Sequence, residues 1–133
     1  MSDEDMSYNS WAGTLRPALA ELAEGDRVIA HSFGASILLR MLTEEPWPQI
    51  TMHLLAMPNW GPDGWAVPDY AFTGPEPPQA LTLHHCVDDA VVPHSHLALN
   101  AALLPNARVV SYLHGGHQFD GQSEEVAASF HTA

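Results

Sequence analysis

With 133 residues, 46% of them hydrophobic and 15% charged, the chain reads as one globular domain over 1–133 and not as a disordered segment. Four Lys+Arg against sixteen Asp+Glu give a net charge of −12, which repels nucleic acid and anionic membrane surfaces and removes both as expected partners. One cysteine, Cys86, excludes an internal disulfide framework and fits a reducing compartment. No apolar run approaches the roughly twenty residues of a membrane span. The opening Met1-Ser2-Asp3-Glu4-Asp5 is acidic where a signal peptide is basic, so a cytoplasmic protein is expected.

Residues 1–9 are polar and read as a loose leader. Ser10 is placed to cap a helix from Trp11, with Leu15, Leu19 and Leu22 at helical spacing and Gly25 to end it. Pro17 falls inside that span and argues against regular first turns. Residues 27–30 make a short apolar strand, and 33–44 a helix carrying Ile37, Leu38, Met41 and Leu42, stopped by Pro46 and Pro48. A second strand is expected over 50–56. The Pro- and Gly-rich stretch 57–79 is a long loop, but its Trp60 and Trp65 make it too ordered for a linker. Strands over 81–85 and 107–113 flank a helix over 94–104. Ser123, followed by Glu124 and Glu125, is placed to cap a closing helix to 131.

Strands alternating with helices predict an α/β fold, a parallel sheet of about four strands with helices on both faces. In such sheets functional groups gather at the carboxyl ends of the strands. Three such ends carry chemistry here: Ser32 after the first strand, Asp88 and Asp89 after the third, and His114 and His117 after the fourth. Ser32 lies in Ala30-His31-Ser32-Phe33-Gly34, a small-x-Ser-x-Gly turn between strand and helix, where a strained backbone lifts the hydroxyl clear of the sheet. Ala30 and Gly34 suit a close approach of strand and helix. A serine hydroxyl needs an imidazole to take its proton, and the imidazole a carboxylate to fix its tautomer. The order Ser…Asp…His supplies all three.

The stretches VIAHSFGAS at 28–36, HHCVDDAVVPHSH at 84–96 and LHGGHQF at 113–119 resemble α/β hydrolases. Within them they are most similar to the small, lidless branch that includes retinoblastoma-binding protein nine and its bacterial relatives. MSDEDMSYNSW at the start resembles the segment preceding the nucleophile strand in that branch. The resemblance implies a serine hydrolase with esterase-like activity that forms an acyl-enzyme. Ser32 would be its nucleophile, His117 its base, and Asp89 rather than Asp88 its acid. It also implies an oxyanion donor at the Phe33 amide and a small ester as substrate, with a thioester or a peptide left open. His31, Trp60 and Trp65 are candidates for the substrate pocket, although the aromatic rings of the long loop serve equally as its anchors.

Members of that branch begin with a strand ending in a His-Gly loop, a helix and another strand before the segment where this chain starts. That loop normally gives the second oxyanion donor, and that strand pairs with the nucleophile strand. The expectation is therefore a fold without those strands, with 27–30 at a sheet edge open to pairing between copies of the chain. A non-catalytic relative acting as a binding protein is the alternative. No cofactor is expected. The cluster His84, His85, Cys86, His94 and His96 invites a metal, but neighbouring strand residues face opposite sides and no C-x-x-C or H-E-x-x-H spacing is present.

Overall fold

The structure, a computed structural model, describes residues 8–129. In chain order it comprises helix α1 (Tyr8–Leu19), strand β1 (Arg27–His31), helix α2 (Phe33–Glu44), strand β2 (Thr51–Leu55), strand β3 (Ala80–Cys86), helix α3 (Ser95–Leu103), strand β4 (Arg108–Tyr112) and helix α4 (Ser123–Ser129). Short 3-10 turns occupy Pro68–Tyr70 and Gly116–Gln118. All four strands are parallel in the order β1-β2-β3-β4, which leaves β1 at one edge. The expected α/β architecture is the observed one.

The two faces of the sheet follow from strand alternation. Val28, Ala30, Met52, Leu54, Leu81 and Leu83 point to one face, where they meet Ala12 and Leu19 of α1, most of the apolar side of α2, and Leu97 of α3. Ile29, His53, Leu55, His84, Cys86 and Tyr112 point to the other. There Leu55, Cys86 and Tyr112 form a smaller cluster with Phe119 and with Val126 of α4.

Two helix starts differ from expectation. Helix α1 begins by Tyr8, so Ser10 lies inside it, its carbonyl accepting from Thr14 Oγ1. Pro17 sits within the helix near its C-terminal end, where the carbonyl it deprives of a donor belongs to exposed Gly13 and can be hydrated. The helix ends at Leu19; a turn then leads to Gly25, whose φ of +88 suits glycine. Ser123 is the first residue of α4 rather than its cap, since Gln122 offers the carbonyl that accepts from Val126 N–H. Residues 130 and 131, also expected in this helix, lie outside the described residues, as does the leader over 1–7.

Candidate active site

The turn from β1 into α2 has the backbone expected of a nucleophile elbow. Ser32 adopts φ 56 and ψ −126, a left-handed conformation costing about 1–3 kcal/mol for a residue with a side chain. Its N–H is fixed by the Leu55 carbonyl of β2 at 2.8 Å, and its own carbonyl accepts from the Ala35 amide at 3.0 Å. Ala30 is buried, in keeping with close packing on the strand side. Gly34 differs: a Cβ there would meet nothing within 4 Å, so bulk at that position is not excluded by the described residues. Phe33 opens α2, and its amide is among the helix N–H groups that have no acceptor within the helix.

The sheet brings the two downstream motifs to this turn. His117 Nε2 lies 3.0 Å from Ser32 Oγ, and His117 Nδ1 lies 3.0 Å from Asp89 Oδ2. A carboxylate only accepts, so Nδ1 carries the proton and Nε2 is left to accept from the serine hydroxyl. The Asp89 side chain is fully buried. Its Oδ1 accepts from the amides of Val91 and Val92, both at 2.8 Å. Burial alone would raise the Asp89 pKa. The hydrogen bonds from His117 and from the Val92 and Val91 amides outweigh it and hold the carboxyl below its usual range, ionised at neutral pH.

Asp88 does something different. It is exposed, and its Oδ1 accepts from the Gly116 amide at 2.8 Å, two elements away from its own loop. Of the two adjacent carboxylates, Asp89 therefore meets the imidazole and Asp88 meets the backbone beside it. The loop they hold needs its glycines. Gly115 and Gly116 adopt φ of +129 and +64, and a Cβ on Gly115 would stand 3.0 Å from Cys86 Sγ. Cys86 itself is buried, and that burial, together with the charges of Asp88 and Asp89, pushes its thiol pKa up to about 11. It stays protonated at neutral pH and does not compete as a nucleophile.

Three neighbouring residues escape sequence reasoning or change their part. His31, expected at a substrate pocket, places Nε2 2.6 Å from the carbonyl oxygen of His117, with the two rings 4.6 Å apart. His85 is buried, donates from Nε2 to the Val92 carbonyl at 2.9 Å, and sits 3.3 Å from Asp89 Oδ2. Nothing in its sequence position signals this beyond its place at the end of a strand. Trp60 donates from Nε1 to Ser36 Oγ, one turn along α2 from Ser32, and its ring meets Phe33, Tyr70 and Trp65. Trp65 is 40% exposed and packs on Trp60 and His96. Behind Trp60 a cavity of about 10 Å³ is bounded by Ser36, Met57, Asn59, Tyr70 and Asn100, so this ring fills the space beside α2.

The same loop is pinned from below. Asn59 N–H donates to His96 Nδ1, and Asn59 and Asn100 bridge it to α3. The histidine cluster considered for a metal is drawn apart: His84 hydrogen-bonds His53 and Tyr112 on one face of the sheet, and His85 reaches Val92 on the other.

No protein-family model matches the chain, and no curated protein does. Solved structures do match. Alpha/beta hydrolase domain-containing protein 10 from mouse superposes with a TM-score of 0.73 at 15% identity, covering 97% of this chain and 70% of that one. The ydeN gene product from B. subtilis gives 0.68 at 20% identity, covering 95% and 76%. The esterase domain of a Rhodothermus marinus protein gives 0.61 at 15% identity, covering 93% and 67%. Likeness across nearly all of this chain, at identities this low, is a likeness of fold: the chain has the α/β-hydrolase fold.

Proposed function

We propose that the chain is a serine hydrolase acting on small esters, of the lidless kind its three motifs resemble. The observation that carries this reading is the unbroken series Ser32 Oγ to His117 Nε2 and His117 Nδ1 to Asp89 Oδ2, each step 3.0 Å, rooted in a strained elbow. Ser32 Oγ attacks the ester carbonyl while His117 Nε2 takes its proton. Asp89 stabilises the imidazolium that results. The tetrahedral oxyanion accepts from the Phe33 N–H at the start of α2, where the helix dipole adds to the pull. His117 then returns the proton to the departing alcohol, leaving the acyl group on Ser32, and a water activated by the same imidazole releases it. The esterase named among the structural neighbours supports an ester as the substrate class. Trp60 and Trp65 are proposed to wall the acyl side.

Hydrolysis of a short-chain 4-nitrophenyl ester tests the reading. Ser32→Ala abolishes turnover, and Asp89→Asn, which cannot hold the imidazole in the required tautomer, lowers kcat by about 10⁴-fold. Unchanged turnover in either variant refutes the assignment.

A further inference from the structure

The loop that presents His117 is closed on itself by the Asp120 amide, which donates to the Gly115 carbonyl at 2.8 Å, but its backbone is unusual. Gly115, Gly116 and Phe119 all have positive φ, and the 3-10 turn over Gly116–Gln118 gives it a single short element. The His117 side chain is 12% exposed, with the His31 ring 4.6 Å from its own. A base that strays by about 1 Å can cost some 10²-fold in rate. The backbone on both sides of His117 is also tied down from outside the loop. On the N-terminal side, the Gly116 amide donates to Asp88 Oδ1 of the acid loop at 2.8 Å. On the other, the His117 carbonyl accepts from His31 Nε2 at 2.6 Å. A carbonyl cannot donate, so His31 carries its proton on Nε2.

We propose that His31 and Asp88 form a backbone clamp that positions His117, with His31, one residue before the nucleophile, acting on the base rather than on the substrate. The inference rests on the serine-hydrolase reading above for its effect on rate, but the clamp itself is a property of the loop. It explains why two carboxylates stand side by side after β3: Asp89 orients the imidazole and Asp88 fixes the peptide that carries it. It also ties the elbow to the base. His31 is the last residue of β1, so the strand that aims Ser32 also fixes the distance to its proton acceptor.

Two substitutions at each position separate the clamp from its alternatives. His31→Phe keeps a ring against His117 but cannot donate; His31→Gln keeps an N–H near the position of Nε2. Asp88→Ala removes the acceptor, and Asp88→Asn keeps one. The clamp predicts that His31→Phe and Asp88→Ala lower kcat by roughly 10–10²-fold with KM within about twofold, and that His31→Gln and Asp88→Asn recover most of the loss. A second readout needs no turnover. In His31→Phe, the Gly116 amide exchanges with solvent at least about tenfold faster, although its own acceptor Asp88 is intact, while amides of β2 and β3 are unaffected.

A raised KM with kcat intact in His31→Phe overturns the proposal and returns His31 to the substrate pocket. So does Gly116 exchange that is unchanged, or that rises together with the whole sheet. If Ser32→Ala still hydrolyses the ester, the serine-hydrolase reading fails, and the exchange result alone decides the clamp.

Discussion

The two faces of the sheet are built to different standards. On the face covered by α1, α2 and α3, seventeen buried apolar residues from Ala12 to Leu104 form one cluster, with the buried polar side chains His85, His96, Asn59 and Asn100 beside it. On the face covered by α4, the apolar cluster has six. Between it and the β1 edge lie the buried His53 and His84, bonded to one another at 2.9 Å, with His84 bonded in turn to Tyr112 at 2.8 Å. Beyond them Ile29 is 53% exposed. The first face anchors α2 and through it the Ser32 elbow; the second carries the loop of His117. Ser32, the proposed nucleophile, thus stands by the larger apolar cluster and His117, its proposed base, by the smaller one, where ties reach its loop from β1 and from the acid loop.

Acid provides the largest test of that difference. Burial depresses both His53 and His84 to about 4, below the roughly 6.5 of a histidine in the unfolded chain. Between those values the unfolded chain binds more protons than the folded one. The contribution of these groups is therefore fully present above about pH 6.5 and is lost as pH falls toward about 4, at up to about 1.4 kcal/mol per pH unit for each group. Denaturant titrations across this window should show stability dropping steeply, and a His53→Phe, His84→Phe double variant should flatten the slope. A slope unchanged in that variant contradicts the assignment.

Core truncation comes next in size. Leu54→Ala, on the apolar face and fully buried, should cost about 2–5 kcal/mol in global unfolding. Val126→Ala, beneath α4, should cost roughly 1–2 kcal/mol, in line with the two methyl groups it removes. A loss at Val126 as large as that at Leu54, which gives up one more carbon, would mean that the α4 face is packed at least as firmly. The smallest effect on stability lies at the edge. Ile29→Lys should change unfolding free energy by less than about 0.5 kcal/mol, because the side chain is half exposed, yet it should reduce pairing of β1 edges between chains. Light scattering behind size exclusion reads this directly: self-association is expected for the parent chain and less for the variant. A monomeric parent chain at high concentration ends the edge-pairing idea.

How much of this was legible in the sequence depends on the range of the interaction involved. The strands and α2 were readable to within a residue or two, because apolar patterning and prolines are local signals. Ser32, the segment with Asp88 and Asp89, and the segment with His114 and His117 were picked out because each stands at the carboxyl end of a strand, a rule of topology that needs no coordinates; the choice of Asp89 and His117 within them rested on the family resemblance. The supporting contacts had no such rule. His31 and His117 are 86 residues apart, and nothing local shows that a ring of one reaches the carbonyl of the other. The resemblance pointed to Asp89 over Asp88 for the imidazole, but nothing in the sequence showed that Asp88 accepts from the Gly116 amide. Ser10 and Ser123 were misplaced as caps because a serine before a run of helix formers fits several registers equally well. Gly34 fitted a steric requirement whose crowding partner is not among the described residues.

The central claim is that Ser32 is a nucleophile activated by His117. Intact-mass analysis after treatment with a fluorophosphonate probe tests it most directly, because the probe reports the activated hydroxyl without assuming a substrate. The account predicts a single adduct mapped to Ser32, absent in Ser32→Ala and strongly slowed in His117→Ala. An adduct that persists in Ser32→Ala, or an unmodified chain under conditions in which it is folded, would contradict it.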